Sequence, residues 1–384
     1  MEISFNCPAR KLGCGGCPCL DISYQEQLKK KQAFVKKHLS SFGKPKPMIG
    51  MDDPYHYRNK VIATFSQGKD GLYSGIYKEG SHQVVPVSGC LLHAPQADEA
   101  LSAVLDTARE LNIKAYDEDR HTGVLRHALV RRGHVSGQIM VVLITATAHL
   151  PAKEEFVKRL IEKCPGIVTV VQNVNLRQTS AVLGFVEHVL YGPGKIEDTL
   201  CGLNFLISSR SFYQVNSVQT EVLYNEAIRL ADFTGDETVI DAYCGIGTLT
   251  LCAAQKAGQA IGIEVNPAAV TNAIRNVKNN QIINTTFIKG DAGRVMSDMA
   301  QMGKTADVVF MDPPRAGASE EFIWSVCALA PKKIVYISCN VETQARDLKL
   351  FHHRGYRVKS IQPVDMFPHT EHVECVVLMT RVKE

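Results

Sequence analysis

Thr238-Val-Ile-Asp-Ala-Tyr-Cys-Gly-Ile-Gly-Thr-Leu-Thr-Leu251 is an apolar run that reaches an acid and an aromatic, turns on two glycines and continues directly as an apolar helix. Gly245 and Gly247 permit a tight turn and let a ligand approach the backbone at the head of that helix. A dinucleotide fingerprint would need a third glycine at position 250; Thr250 stands there, which favours a cofactor without phosphates. Outward from this turn the pattern alternates regularly. Helices are predicted from Ser217 to Ala231 and Pro267 to Asn280, and strands over Ala260–Val265, Thr286–Lys289, Asp307–Met311 and Lys333–Ser338. Such alternation means a parallel sheet with helices on both faces, an α/β Rossmann-like fold. Two last strands, Arg357–Ile361 and Val373–Thr380, lack a helix between them and are expected to finish the sheet antiparallel.

Upstream the texture differs. Short strand-like runs (Val61–Phe65, Leu72–Tyr77, Val124–Arg131, Ile139–Thr145, Val168–Val174 and Leu203–Ile207) are interrupted by helical patterns near 95–111 and 153–164, which predicts an α+β middle domain. The first 50 residues comprise a Cys/Gly/Pro-rich loop, a helix from Ser23 to Ser40 and the linker signal Gly43-Lys-Pro-Lys-Pro47, and look like an appendage. The expected domains are 1–50, 51–215 and 216–384.

The 384 residues are 45% hydrophobic and 21% charged, as in ordinary globular proteins. The longest apolar stretch, Ile139–Ala148, is about half a bilayer span, and no basic-then-apolar leader opens the chain, so a cytoplasmic protein is expected. Twelve cysteines in such a chain argue against a disulfide framework and for thiols that do chemistry or bind metal. The net charge of +4 is uneven: residues 1–60 hold 11 Lys+Arg against 5 Asp+Glu. That suits a polyanionic partner, although Lys29-Lys30-Lys31 and Lys36-Lys37 suit equally the solvated face of a helix. No interface signal stands out, and a monomer is expected.

Strand ends carry the candidate chemistry. Glu264 could accept two ribose hydroxyls, and Asp291 an adenine amine. Asp312-Pro-Pro-Arg315 is a stiff turn that aims its carboxylate at the crevice above the sheet, which leaves methylation of a base amine open. Cys339 follows the next strand on the ligand side and is a candidate nucleophile. A thiol is useful when the methyl acceptor is carbon 5 of a pyrimidine, which becomes nucleophilic only after addition at carbon 6. The proton on carbon 5 must then leave, and Glu374, held by the last strand, is the candidate base, with Glu371 in the preceding loop as its competitor. In Ser211-Phe-Tyr-Gln-Val-Asn216, Asn216 is an N-cap, Gln214 offers donor and acceptor to a ligand, and the aromatics suit either stacking on a base or a hydrophobic staple.

Phe-Tyr-Gln-Val-Asn, Asp-x-Tyr-Cys-Gly-x-Gly-Thr, Asp-Pro-Pro-Arg, Ser-Cys-Asn and His-Val-Glu, in this order, resemble the RNA uracil-5-methyltransferase family of class I S-adenosylmethionine-dependent enzymes, from Ser211 to the end of the chain. The resemblance implies Cys339 as nucleophile and Glu374 as general base. It implies Gln214, Tyr243, Gly245, Gly247, Glu264, Asp291 and Asp312 around S-adenosylmethionine and the reacting uracil; Thr248, where some members have Asn, is carried over only weakly. Cys7, Cys14, Cys17 and distant Cys90 resemble the [4Fe-4S] ligands of the cluster-bearing branch, with zinc as the rival and Cys19 as an extra thiol.

Relatives often carry an N-terminal β-barrel that is not seen here, so the chain resembles most the 23S rRNA enzymes without it. Transfer RNA uridine-54 methylation and a non-catalytic RNA-binding factor are the alternatives. RNA binding would then rest on the basic N-terminal stretch and on Arg120, Arg126, Arg131 and Arg132 of the middle domain. The structured RNA would have to present its uridine unstacked.

Overall fold

The computed structural model describes residues 7–78 and 80–382, in two compact units. The first holds the residues up to Leu20 with Pro54–Thr199 and Leu206–Arg210; the second holds Asp21–Asp53, Leu200–Phe205 and the chain from Ser211 onward.

The described chain opens with the one-turn helix α1 (Pro8–Lys11) and the longer α2 (Tyr24–Leu39). There follow β1 (Lys60–Gly68), β2 (Gly71–Tyr77), β3 (Val84–Pro86), α3 (Pro95–Glu110), β4 (Leu125–Arg132), β5 (Ile139–Thr145), α4 (Lys153–Lys163), β6 (Ile167–Val174) and β7 (Val186–Tyr191). Their strands form one sheet in the order β3-β2-β1-β4-β5-β6-β7, antiparallel except for β5 and β6, which α4 connects as a crossover. Period-two alternation divides its faces. Val61, Ala63, Phe65, Ala128 and Val130 enter a core with Val104 of α3 and Phe156 and Leu160 of α4. Ile62, Thr64 and His127 alternate with them and lie on the opposite face. This is the α+β architecture expected, with β3 and the largely exposed β7 in addition.

A hairpin of β8 (Lys195–Leu200) and β9 (Leu203–Ser208) leads to the alternating region. It runs α5 (Ser217–Ala231), β10 (Thr238–Ala242), α6 (Thr248–Ala254), β11 (Gln259–Glu264), α7 (Pro267–Asn279), β12 (Thr285–Lys289), α8 (Ala292–Gln301), β13 (Val308–Met311), α9 (Glu320–Ala328), β14 (Lys333–Ser338), α10 (Val341–His353), β15 (Tyr356–Val364) and β16 (Glu374–Arg381). The sheet order is β12-β11-β10-β13-β14-β16-β15. The strand order reverses at β10, so a crevice opens there above the carboxyl ends of the parallel strands. The last strand does not extend the edge: β16 inserts between β14 and β15, antiparallel to both.

The first 50 residues differ from the expected appendage. Ser23 accepts from the Glu26 N–H while the Glu26 carboxylate takes the Ser23 N–H, a capping box that starts α2. Val35 and Leu39 are then fully buried in the core that holds Leu348 and Phe351 of α10 and Tyr356 and Ile361 of β15. One turn further back on the same stripe, Lys31 is buried, and its ammonium donates to Asp365 Oδ1 at 2.7 Å and to the Phe367 carbonyl at 3.0 Å. The Tyr24 hydroxyl donates to the other Asp365 oxygen at 2.9 Å, and the His369 N–H donates to Gln27 at 2.9 Å. The buried stripe is Gln27, Lys31, Val35 and Leu39, half polar, so its sequence looks solvated although it is core.

Two of the proposed RNA-binding arginines are also interior. Arg126 donates to both oxygens of Glu118, at 2.7 and 2.9 Å, and to the carbonyls of Asn175 and Arg177. Arg131 is buried, with its guanidinium pushed down to about 10 by burial and turned to the Ser209 carbonyl. Arg132 is half-buried and bonds the His134 carbonyl, which leaves Arg120 as the exposed member of the four.

Removing one partner of a buried ion pair strands the other. Lys31→Met is expected to lower stability by about 3–5 kcal/mol in denaturant titration, and Lys31→Met with Asp365→Asn to recover part of that loss.

Candidate active site

At the end of β10 the backbone of Tyr243 takes φ +85°, a strained value for a non-glycine residue, and the Gly245 and Gly247 turn follows at +56° and +84°. A Cβ at Gly247 would meet the Phe287 ring at 2.7 Å, whereas one at Gly245 would meet open space. The Gly245 N–H donates to one oxygen of Glu264 at 3.1 Å and the Asn266 N–H to the other at 2.7 Å. A carboxylate has lone pairs beyond those two, so Glu264 is oriented by the turn and still able to accept. Asp291 caps α8, accepting from the Arg294 N–H at 2.9 Å, and is otherwise exposed. Burial first, then the charges of Asp291 and Asp347, pushes the Tyr243 phenol up to about 12, and its ring lies 5.1 Å from that of Phe322. Thr250, where a third glycine would stand, donates to buried Asp241 at 2.6 Å. Burial nonetheless raises that carboxyl to about 6.

The reactive residues meet because of strand register. Ser338 of β14 pairs with Cys375, and Val364 of β15 pairs with Glu374. Since β16 runs antiparallel, its first residue stands at the carboxyl end of β14, where Cys339 emerges. Half-buried Cys339 has its thiol pushed up by burial, then by Glu374 and Asp312, while the Arg315 guanidinium opposes both as a charge and as a hydrogen-bond donor. Glu374 is buried and held well above the usual carboxylate range by burial and then by Asp312, with Arg315 again opposing. Burial, with a contribution from Asp241, takes Asp312 up to about 7. Glu371, the competitor, is exposed in the turn before the strand.

The sequence alone assigns Arg315 no role, although its position after a stiff acidic turn is a signal that marks it. The loop that carries it is fastened to α10. The Arg315 carbonyl accepts from Asn340 at 3.1 Å and from Thr343 at 3.3 Å, and Arg346 donates to the carbonyls of Ala316 and Ala318. The Ala318 N–H donates at 2.8 Å to buried Asp347, whose same oxygen takes the Tyr336 hydroxyl at 2.7 Å.

Asn216 caps α5 by accepting from the Gln219 N–H, and its amide also donates to the Met366 carbonyl at 3.0 Å. Beside it Gln214 is half-buried, Tyr213 buried and Phe212 exposed, so one aromatic of the motif is core and one is open to a ligand. Cys7, Cys14, Cys17 and Cys90 are all half-buried and all in the first unit. Burial raises the Cys14 and Cys17 thiols, Cys17 to about 12, and both feel the charges of Cys7 and Cys90. Among the described residues no three ligand side chains converge closely enough for a single metal ion.

The family model described as tRNA (Uracil-5-)-methyltransferase matches residues 23–382. An uncharacterized RNA methyltransferase of Halalkalibacterium halodurans is 43% identical over 371 residues, 95% of this chain and 81% of that one. Another, from Bacillus cereus, is 42% identical over 376 residues, 97% of this chain and 82% of that one. Among solved structures, the Pyrococcus abyssi tRNA (uracil-54, C5)-methyltransferase in complex with S-adenosyl-L-homocysteine superposes with a TM-score of 0.80 at 27% identity, covering 96% of this chain and 86% of that one. With a match across nearly its whole length and relatives above 40% identity, the chain belongs to the tRNA (Uracil-5-)-methyltransferase family.

Proposed function

We propose that the protein methylates carbon 5 of an unstacked uridine in structured RNA, with 23S rRNA as substrate and S-adenosylmethionine as methyl donor. The observation that carries this reading is the convergence of Cys339, Glu374 and Asp312 at the carboxyl end of β14, beside Arg315. The family match and the S-adenosyl-L-homocysteine complex of the Pyrococcus abyssi enzyme support it. S-Adenosylmethionine supplies the methyl group on an electron-poor sulfur. Tyr243, Gly245, Gly247, Glu264 and Asp291 would line its nucleoside and Gln214 its approach to the base.

The Cys339 thiolate adds to carbon 6 of the uracil, and the displaced pair makes carbon 5 nucleophilic toward the methyl carbon. Arg315 favours the anionic thiolate, and a protonated Asp312 would donate to the enolate oxygen that the addition creates. Glu374 then takes the proton from carbon 5; the C–H pair restores the double bond and expels Cys339. A buried carboxylate with a raised pKa is the stronger base for that step.

A [4Fe-4S] cluster on Cys7, Cys14, Cys17 and Cys90 belongs to the same reading. Cys14 and Cys17 both feel the charges of Cys7 and Cys90, yet among the described residues no three ligands are drawn together for one ion, which would hold its sulfurs about 3.8 Å apart. A multi-iron cluster spans a wider thiolate frame and would fasten the loop from Cys7 to the sheet unit.

Anaerobically purified protein, incubated with labelled S-adenosylmethionine and unmethylated ribosomal or transfer RNA, should yield 5-methyluridine in the ribosomal pool by nucleoside mass spectrometry. Product only in transfer RNA would overturn the substrate, and an N-methyl nucleoside the chemistry. Cys339→Ala is expected to abolish the covalent RNA adduct and the product, whereas Glu374→Gln should accumulate the adduct on denaturing gels. Alkylation of Cys339 should accelerate with pH to beyond 9, and Arg315→Met should slow it at neutral pH. The same preparation should be coloured and carry about four irons per chain; a colourless protein with stoichiometric zinc would replace the cluster.

A further inference from the structure

A cavity of about 830 Å³ opens in the first unit on the sheet face opposite α3 and α4. β1, β2 and β4 supply its floor through Ile62, Thr64, Tyr77 and His127, and the segment after β6 supplies Gln178 and Ser180 at its rim. Thr64 and His127 are cross-strand partners, and the hydroxyl of one lies 3.1 Å from Nδ1 of the other, which fixes the imidazole. The Tyr77 ring stands edge-on to His127 at 6.2 Å and tilted toward His82 at 6.0 Å, so the floor is an aromatic cluster.

The charge of the wall is already spent. Arg126 lines the cavity, but its guanidinium is held by both oxygens of Glu118 and by two backbone carbonyls, and so has little left for a phosphate. His127 is driven down to about 4, by burial and then by Arg126, and is a neutral ring at physiological pH. Burial, with Glu118 adding, pushes the Tyr77 phenol up to about 12, so it too is neutral. The ligand that fits is therefore flat, uncharged and rich in hydrogen-bonding edges. Open sheet faces bearing aromatics hold splayed bases of single-stranded RNA in this way, and stacking is indifferent to which base it receives.

We propose that this cavity binds an unpaired nucleobase of the RNA substrate, stacked on Tyr77 with its edge toward His127, Thr64 and Gln178. The base is a second one, distinct from the uridine that meets Cys339. This inference rests on RNA being the substrate but not on which atom is methylated.

The test uses the full chain and fluorescein-labelled dodecamers of oligo(A), oligo(U) and oligo(C), with fluorescence anisotropy in the absence of any methyl donor. Tyr77→Ala should weaken binding of at least one oligonucleotide by about tenfold, while Tyr77→Phe, which keeps the ring, should bind as the parent does. With the methylatable RNA pool, Tyr77→Ala should raise KM for RNA by a similar factor and leave kcat unchanged. An unchanged melting temperature and unchanged S-adenosylhomocysteine binding would exclude general unfolding; if either moves, Gln178→Ala on the exposed rim replaces Tyr77→Ala, with weakened binding again expected. Parental affinity in both alanine variants would overturn the proposal. Since binding is read without turnover, loss of the uridine chemistry would leave this result standing, and the reverse also holds.

Discussion

The hydrogen-bonded ladder between β14 and β16 is the constraint on which the site depends. It sets Cys375 opposite Ser338, and so the carboxyl of Glu374 and the thiol of Cys339 meet at one end of the sheet. Side chains alternate along a strand, so a one-residue slip would turn Glu374 to the other face. The register is held from both sides, because β16 also pairs with β15, and from within, because Cys375, Val376, Val377 and Met379 are all buried. A strand in the middle of a sheet is also less free to fray than one at its edge.

Two buried carboxylates stiffen the loops that flank this ladder, and they do so alike. Asp365 gathers the Lys31 ammonium, the Tyr24 hydroxyl and the Phe367 N–H just after β15. Asp347 gathers the Arg346 guanidinium, the Tyr336 hydroxyl and the Ala318 N–H, and thereby holds the loop that presents Arg315. A buried carboxylate is costly to leave unpaired, so each one specifies a single arrangement of the backbone around it. This is why α2, far away in sequence, matters to the segment that leads into Glu374.

Within the site, the carboxyl of Glu374 and the thiol of Cys339 share the exposed guanidinium of Arg315. Burial raises Asp241, Asp312 and Glu374 alike, with the charge of Asp241 adding at Asp312 and that of Asp312 adding at Glu374. The addition and elimination proposed for this site would use such acids as donor to a nucleobase oxygen and as acceptor from carbon.

Local patterns determined much of this from the sequence alone. The strand–helix alternation after Ser217, the glycine turn at 245–247, the Asn216 cap and the acids at strand ends are all legible, because each depends on residues within a few positions of one another. The residues with candidate chemistry were legible for the same reason: each stands where a strand stops. Tertiary structure alone decided what those residues face. The i, i+4 stripe of α2 mixes Gln27 and Lys31 with Val35 and Leu39 and looks solvated until Asp365 and His369 arrive from more than 300 residues away. Arg126 and Arg131 look like surface cations until Glu118 and the carbonyls of Asn175 and Ser209 enclose them. Arg315 comes beside Cys339 only in the fold, and Glu374 meets that thiol only because β16 lies inside the sheet. A hydrophobic pattern specifies that a segment is a strand and which face it buries, but the identity of its neighbours is a property of the whole packed chain.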